Sequence, residues 1–539
     1  MNKASFVDNV QKPDFLVAFL LFGIAFSIRI VLSPSFALST DESFTANIAL
    51  SSSFDEMLKM ILNEGTPPLL YCLLRGWIGF FGTSDQAIKL FGIVLSSLIP
   101  PVAYLVTLSI FGARRIAVTA CILCLFSPIL IRFGNMVRPY SLTCIFSLLS
   151  TWAFFDLFKD DSRENTSETS SENGKISRKT AFKATEYVVF TVWNAYSHLW
   201  GILFSFAQAF VVLVQFARGK WTFENVKTWF LSASISAVLF LPWLFVVFGQ
   251  LNKDLHPWYH PKLWYEFLAI APLNLLSYTV GQTSVLVPFY AVMVVTVMLF
   301  YGSIIFHLKD NKGFVAQVAL MALLVSIMTI ILAMNDIPYK ERYILALSVL
   351  SYALIADWFD KMFSFIRNDF LFALIPLCLF LVVWFNQLKI MHAMPEASVG
   401  ALLASMQKTK DIQSTHIVLV AYNSFVPEVT RKIPVNQIIA VPFKTPFKVV
   451  DWQNQMQGLS SAQNADSIIA SLSSYLNQGK VVWFIGLKQS ADQAKDPYTV
   501  QQIKMQMKLK DWLLKNARVC GSRVSNSFDG SAEAIKFNR

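Results

Sequence analysis

The stretch from Phe15 to Ser43 reads FLVAFLLFGIAFSIRIVLSPSFALSTDES, a long apolar run followed at once by two adjacent carboxylates, Asp41 and Glu42. A membrane-spanning helix needs about 20 apolar residues, with a range of roughly 17–25, and this run meets that length. Lys3 and Lys12 precede it. A cleavable signal peptide is the alternative, but further apolar runs follow, so we expect an uncleaved anchor with its N-terminus inside.

Comparable apolar runs recur down to about residue 390. They predict a mainly α, polytopic fold of about eleven spans, at 14–34, 87–111, 115–133, 139–158, 184–198, 199–217, 227–248, 284–306, 314–334, 343–359 and 370–388. Two shorter stretches, 67–82 and 263–280, are predicted as interfacial or re-entrant helices at the outer face. Arg29, near the outer end of the first span, is expected to snorkel outward or to face a cavity.

Composition agrees with a membrane protein. The chain is 55% hydrophobic and only 15% charged, whereas soluble domains average roughly 45–50% apolar and about 25% charged residues. A net charge of +11 would suggest nucleic-acid binding in a soluble protein. Here the basic residues lie mostly between apolar runs, as topology signals do, so no nucleic-acid partner is predicted.

The basic residues also orient the predicted spans. Between residues 83 and 262 the loops assigned to the inside hold most of the cations: Arg114, Arg115, Lys159, Arg163, Lys175, Arg178, Lys179, Lys183, Arg218, Lys220 and Lys227. The positive-inside rule then places the N-terminus in the cytoplasm and the C-terminus outside. The prediction is a multi-pass protein of the plasma (inner) membrane, with membrane lipids as its surroundings.

Composition changes after about residue 395. Short apolar segments at His416–Ala421, Gln437–Val441 and Val481–Ile485 predict buried strands, and Asp466–Leu476 and Val500–Leu514 predict helices. We therefore expect a transmembrane domain over 1–390 and a small extracytoplasmic α/β domain over 395–539.

The predicted outer loops collect polar residues that suit chemistry on a sugar phosphate. One of Asp41 and Glu42 suits a general base, with a solvated loop pair as the alternative. Arg138 can clamp a phosphate or snorkel to headgroups. The other candidates are Tyr140, His198, Lys340, Arg342 and Tyr343. Lys340 and Arg342 are two cations on one short outer loop, against the positive-inside trend.

A metal site is not predicted. His256 and His260 are four residues apart in an aromatic loop, but Pro257 disfavours the helix that would bring them together. A divalent cation is compatible with the chain but not required, and no other cofactor is expected.

These landmarks together resemble the family 39 C-type glycosyltransferases, which include protein O-mannosyltransferases and lipid A aminoarabinose transferases. The similarity is carried in order by Asp41-Glu42, Pro67-Pro68-Leu69-Leu70-Tyr71, Phe81-Gly82, Ser127-Pro128, Arg138-Pro139-Tyr140, Tyr196-Ser197-His198 and Glu341-Arg342-Tyr343. Thr66 and Met136 depart from the pattern, since many relatives have His and an acidic residue there.

The resemblance implies a hexosyl- or pentosyltransferase that inverts the sugar. Its donor would be a polyprenyl-phosphate sugar, and its acceptor an extracytoplasmic lipid, glycan or protein. Asp41 would be the general base and Glu42 would orient it or the sugar. Arg138, Lys340 and Arg342 would neutralise the departing phosphate.

Two other functions stay open at this point. A transporter or flippase of a lipid-linked or anionic solute needs polar residues near the middle of the membrane, often in repeated halves, and the sequence shows no such repeat. A non-catalytic scaffold leaves the clustered outer charges unexplained.

Overall fold

The computed structural model describes residues 11–33, 38–64, 66–159, 178–221, 223–250, 286–310, 313–335, 337, 341–368, 371–375, 377–378, 398–444, 452–488, 497–527 and 530–539. Up to residue 378 the described structure is helical. The α-helices are Lys12–Val31, Thr40–Ala49, Phe54–Glu64, Leu69–Phe81, Asp85–Ser97, Ile99–Phe111, Arg114–Phe126, Pro128–Arg132, Tyr140–Leu157, Arg178–Ser197, Ile202–Ala217, Phe223–Gln250, Leu286–Asp310, Gly313–Met334 and Leu345–Met362. Short 3-10 helices lie at Leu199–Gly201 and Glu341–Ile344.

Within the described residues, seven helical segments are long and apolar enough to cross a membrane: Lys12–Val31, Asp85–Phe111, Tyr140–Leu157, Leu199–Ala217, Val226–Gly249, Gly313–Met334 and Arg342–Met362. They coincide with seven of the predicted spans, and the chain is a multi-pass membrane protein. The helix Leu286–Asp310 contains the described part of the predicted span 284–306.

The remaining predicted segments differ in their outcome. The segment 184–198 is part of the helix Arg178–Ser197, which is not among the seven. The segment 67–82 forms the helix Leu69–Phe81, whose 13 residues are short for a span. Most of 370–388 and all of 263–280 lie outside the described residues.

The predicted span 115–133 is divided into two helices in the structure. The helix Arg114–Phe126 ends at Ser127, and a short helix, Pro128–Arg132, follows. Ser127 is extended, with ψ of 115°, as expected for a residue that precedes proline. Pro128 has no N–H to donate within the helix, so the chain breaks here.

The side chain of Arg29 lies against the end of the helix at this break. Its guanidinium lies 3.4 Å from the Cys124 carbonyl oxygen and 3.5 Å from that of Leu125, and its Nε donates to Ser96 at 2.8 Å. The side chain is fully buried, so the expectation that Arg29 snorkels outward is wrong. It instead approaches two carbonyls at the end of an interrupted helix.

The chain forms two compact units. The first comprises Met1–Leu32, Gly92–Phe245 and Pro261–Lys389, and the second Ser33–Phe91, Val246–His260 and Ile390–Arg539. The division into a transmembrane domain over 1–390 and an extracytoplasmic domain over 395–539 stays a prediction. The two compact units do not show which residues lie in the membrane.

The C-terminal part of the second unit contains a five-stranded sheet. Its strands are β1 Ile417–Val420, β2 Ile438–Ala440, β3 Val482–Leu487, β4 Arg518–Ser527 and β5 Gly530–Asn538, in the order β2-β1-β3-β5-β4. β1 is parallel to β2 and β3, while β5 is antiparallel to β3 and β4. The helices of this part are Ser398–Lys408, Val426–Val429, Trp452–Ser460, Ala462–Asn477 and Pro497–Asn516.

The three predicted strands and both predicted helices of this part are confirmed. β1 and β3 are buried along their whole length, which explains their continuous apolar runs. The antiparallel pair β4 and β5 is not in the prediction, because its polar sequence lacks a clear alternation.

Candidate active site

The carboxylate pair lies at the start of a helix in the second unit. Ser39 caps the helix Thr40–Ala49, and its hydroxyl accepts a hydrogen bond from the Glu42 N–H. In return, the backbone N–H and the hydroxyl of Ser39 both donate to Glu42 Oε2 at 2.9 Å. This reciprocal arrangement is a capping box, which satisfies the unpaired N–H groups of the first turn.

The other oxygen of Glu42 binds a lysine. Lys89 Nζ lies 2.8 Å from Glu42 Oε1, and the two side chains are 2% and 0% exposed. Both oxygens of Glu42 therefore have partners inside the protein, which suits a positioning role. Asp41 is half-buried, so it is the more accessible carboxylate of the pair. The alternative of a solvated loop pair is wrong for Glu42, because that side chain is fully buried.

The other end of this helix is also held. Arg75 Nη1 donates to the carbonyl oxygens of Ala49 at 3.1 Å and Ser51 at 2.9 Å. A guanidinium at a helix C-terminus satisfies carbonyls that have no partner within the helix. Lys89 and Arg75, which hold this helix, are not among the residues predicted from the sequence. Lys89 could have been noticed in the sequence, because it is a lone lysine near the start of an apolar run.

An arginine and several aromatic rings form a second cluster, in the first unit. The centroid of the Tyr343 ring lies 4.8 Å from that of His198 and 6.0 Å from that of Tyr140. The Arg342 guanidinium carbon lies 5.4 Å from the Tyr140 ring centre and 5.5 Å from that of Phe133. We call Tyr140, His198, Arg342 and Tyr343 the arginine–aromatic cluster. All four are predicted site residues from three distant parts of the sequence.

Two further rings complete this cluster. Trp200 lies 5.8 Å from Tyr343, and Phe133 packs edge-on against Tyr140 at 6.4 Å. Both were missed by the sequence analysis, because a tryptophan or phenylalanine at a membrane surface is first interpreted as part of an interface belt. Aromatic faces beside a guanidinium can hold it in place by cation–π contact.

His198 sits on a tight turn between two helices. Its Nδ1 accepts a hydrogen bond from the Trp200 N–H at 3.2 Å. In a neutral imidazole this places the proton on Nε2, which is then a donor. Asn194 closes the turn through a 2.9 Å bond to the Gly201 carbonyl, and a Cβ at Gly201 would lie only 2.5 Å from Asn194 Oδ1.

Arg138 belongs to the connection that leads into the helix Tyr140–Leu157. Gly134 opens this connection at a point where a Cβ would lie 2.1 Å from the Leu130 carbonyl oxygen. Ser141 ties the connection to the helix by donating to the Gly134 carbonyl at 2.8 Å. Arg138 thus lies two residues before Tyr140 of the arginine–aromatic cluster. The Nε atoms of Arg138 and Arg342 are both buried.

Other candidates cannot be placed. Lys340, His256 and His260 lie outside the described residues. In the part of the chain that the structure describes, no three His, Cys, Asp or Glu side chains are grouped so that they could share a metal ion.

The motifs of the middle of the chain match a known family. The protein-family model described as dolichyl-phosphate-mannose-protein mannosyltransferase matches residues 65–165. This segment, about a fifth of the chain, holds the Pro67-Pro68 and Arg138-Pro139-Tyr140 motifs. A comparison with curated proteins gave no match.

Solved structures extend the similarity to nearly the whole chain. ArnT from Cupriavidus metallidurans, in its complex with undecaprenyl phosphate, is 11% identical with a TM-score of 0.51, over 98% of each chain. The chain has the fold of the C-type glycosyltransferases. The archaeal oligosaccharyltransferase AglB from Archaeoglobus fulgidus, in complex with an inhibitory peptide and a dolichol-phosphate, is 12% identical with a TM-score of 0.51. That match covers 96% of this chain and 74% of AglB. The resemblance drawn from the motifs is thereby confirmed.

Proposed function

We propose that this chain is a membrane glycosyltransferase that moves a sugar from a polyprenyl-phosphate donor to an extracytoplasmic lipid, glycan or protein acceptor. The observation that carries the proposal is the arginine–aromatic cluster, in which a guanidinium and rings from distant segments converge. Guanidinium groups bind phosphate oxygens through paired N–H donors. Support comes from ArnT and AglB, which share the fold and whose structures contain undecaprenyl phosphate and dolichol-phosphate.

In the proposed reaction, Asp41 takes the proton from the acceptor as its nucleophilic atom attacks the anomeric carbon. The bond from that carbon to the phosphate oxygen breaks, and its electron pair leaves with the lipid phosphate. Attack opposite to the leaving group inverts the sugar configuration. A positioned general base contributes typically about 10²–10⁴-fold in rate.

Arg138, Arg342 and Lys340 are proposed to stabilise the phosphate as its negative charge develops. Fixed cations lower this barrier most when water is excluded around them. The His198 Nε2–H would donate to a phosphate or sugar oxygen. Tyr140 and Tyr343 would contact the sugar with their rings and hydroxyls.

Glu42 is proposed as a positioning residue. Its bonds to Ser39 and Lys89 fix the first turn of the helix that carries Asp41. In our proposal the membrane is the plasma (inner) membrane, with the active site and the C-terminal sheet outside.

The test combines turnover in vitro with envelope analysis. Membranes containing the full chain or its Asp41→Asn variant receive a lipid extract of the native envelope as the donor source, and sugar transferred to the acceptor fraction is measured. We expect at least a hundredfold loss for Asp41→Asn. Asp55→Asn is the matched control, since Asp55 is an exposed carboxylate that pairs with Lys59 in the next turn.

Mass spectrometry of envelope lipids and glycans from cells with and without the protein then identifies the sugar and the acceptor. Near-normal turnover by Asp41→Asn would remove the proposed base. Solute flux into proteoliposomes without any glycosylated product would replace the whole proposal with a transporter.

A further inference from the structure

A short helix of the sheet-containing part lies against the helix that carries Asp41, within the second unit. The helix Val426–Val429 follows β1. The amide of Asn47, on the helix Thr40–Ala49, donates to the Pro427 carbonyl oxygen at 3.2 Å. Asn47 is only 7% exposed. This bond joins segments 380 residues apart in the sequence, so it forms only when the sheet part is folded.

Glu428 lies on the same short helix, next to Pro427. Its side chain is 3% exposed. Its pKa is raised to about 8, mainly by burial and in smaller part by the charges of Glu42 and Asp85, against the lowering effect of the Gly400 N–H and the Thr40 hydroxyl. The carboxyl is therefore mostly protonated at neutral pH, and it faces the first residue of the Asp41 helix.

The charges around Glu428 are already paired with one another. Glu42 binds Lys89, and Asp85 binds both Arg431, at 2.6 Å, and Lys432. If Glu428 lost its proton, its negative charge would be repelled by Glu42 and Asp85, whose partner cations are already bound to them. Like charges in a buried site disfavour ionisation. Among the described residues, the charges that act on Glu428 are those of Glu42 and Asp85, whose own partners are Lys89, Arg431 and Lys432.

We infer that the sheet-containing part positions the catalytic carboxylate, because the helix Val426–Val429 holds the helix Thr40–Ala49 through the Pro427 carbonyl and buries the Glu428 carboxyl beside it. This inference rests on the proposed role of Asp41. Glu428 is a positioning residue and touches no substrate. When Glu428 loses its proton to solvent at alkaline pH, repulsion from Glu42 loosens the first turn that carries Asp41.

Hydrogen exchange of the full chain in detergent tests this inference without any substrate. Exchange of the amides of residues 40–49 is followed by mass spectrometry at pH 6.5 and pH 9, after correction for the intrinsic rates. In the wild type we expect about tenfold faster exchange at pH 9. Glu428→Gln keeps a neutral polar group of the same shape, so its change should stay below about twofold.

Two further variants keep the test decisive. Asn47→Ala should speed exchange of the same amides about fivefold at both pH values. Glu533→Gln is the matched control, because Glu533 is a buried carboxylate of the same sheet whose partner is Lys510. It should retain the wild-type pH dependence. A wild-type pH dependence in Glu428→Gln, or unchanged exchange in Asn47→Ala, overturns the inference.

Turnover separates this inference from the proposed function. If Asp41→Asn stays active, the base assignment fails whatever the exchange data show. If Asp41→Asn is inactive while Glu428→Gln has the wild-type pH profile of kcat, the proposed function stands and the positioning role fails. The expected result is an alkaline loss of kcat in the wild type that Glu428→Gln shifts upward in pH, with KM unchanged.

Discussion

Removing the cation beneath the carboxylate pair should destabilise the second unit strongly. Lys89→Met keeps the length of the side chain and deletes only its charge. Glu42 would then be a fully buried carboxylate whose Oε2 still accepts two bonds from Ser39 but whose Oε1 loses its 2.8 Å partner. Breaking a buried pair from one side costs roughly 3–5 kcal/mol, because the remaining charge cannot regain water.

This cost can be converted into a thermal shift. For a domain of 150–250 residues, 1 kcal/mol shifts the unfolding midpoint by roughly 2–4 °C, so Lys89→Met should lower it by roughly 6–20 °C. The double variant Glu42→Gln with Lys89→Met should recover most of the loss, because glutamine can still complete the capping box without leaving a charge. We expect it to lie within about 2 kcal/mol of the wild type, since replacing both members of a buried pair is often nearly neutral.

The assay is thermal unfolding of the purified full chain in detergent, followed by tryptophan fluorescence. Lys59→Met is the control, because Lys59 pairs with Asp55 at 2.7 Å while both side chains are 73% exposed. It should cause no measurable change, since exposed pairs add little to stability. If Lys89→Met unfolds at the wild-type temperature, or if the double variant is no better than the single one, the buried pair does not hold the first turn.

Four further outcomes follow from the same structure. Arg342→Ala should weaken binding of undecaprenyl phosphate by about ten- to a hundredfold in a direct binding assay, since a charge-assisted bond contributes roughly 1.5–3 kcal/mol, while Arg367→Ala, an exposed control, should not. Gly201→Ala should lower the unfolding midpoint by the equivalent of roughly 1–3 kcal/mol, because its methyl group meets Asn194 at 2.5 Å. A chelator such as EDTA should change turnover by less than about twofold if the arginines neutralise the phosphate; a full loss that Mg²⁺ or Mn²⁺ restores would contradict this. Glu428 binds its proton more tightly in the folded than in the unfolded chain, so its contribution to stability falls as pH rises from about 4.5 to about 8. Glu428→Gln should remove this pH dependence, worth up to about 5 kcal/mol, from unfolding midpoints measured across that range.

Hydropathy made most of the architecture predictable. An apolar run of span length has few alternatives, so segments such as 314–334 and 343–359 appear as helices close to their predicted bounds. The buried strands β1 and β3 were visible for the same reason, as short apolar runs between polar ones. The division of the segment 115–133 has a local cause that hydropathy does not show: Pro128 interrupts the hydrogen bonds of the helix although the apolar run continues across it.

The candidate site was predictable residue by residue but not as a set of contacts. Tyr140, His198 and Arg342 could be chosen as candidates because they are polar or aromatic residues that lie in the sequence at the ends of predicted spans. Nothing in the sequence indicated that Asn47 binds the Pro427 carbonyl, since that bond depends on tertiary packing across most of the chain. The same holds for Glu428, whose burial no local pattern announces.

The adjacent carboxylates show how one helical turn assigns different roles to neighbours. Successive residues on an α-helix point roughly 100° apart, since a turn takes 3.6 residues. Once Ser39 begins the helix, Asp41 and Glu42 cannot share one environment, although the sequence presents them as a pair.

Glu42 occupies the third helical position, from which its side chain can reach back to the cap, and Lys89 compensates its charge in the interior. Asp41 is left half-buried beside a rigid first turn. A general base needs both access to its substrate and a fixed direction, and in the proposed mechanism Asp41 has the first while Glu42 provides the second. Exchanging the two, as Asp41→Glu with Glu42→Asp, should therefore lower turnover, because the carboxylate at position 42 moves one methylene away from Lys89 while the one at position 41 moves one methylene outward. Wild-type turnover in that double variant would show that the order of the carboxylates does not matter.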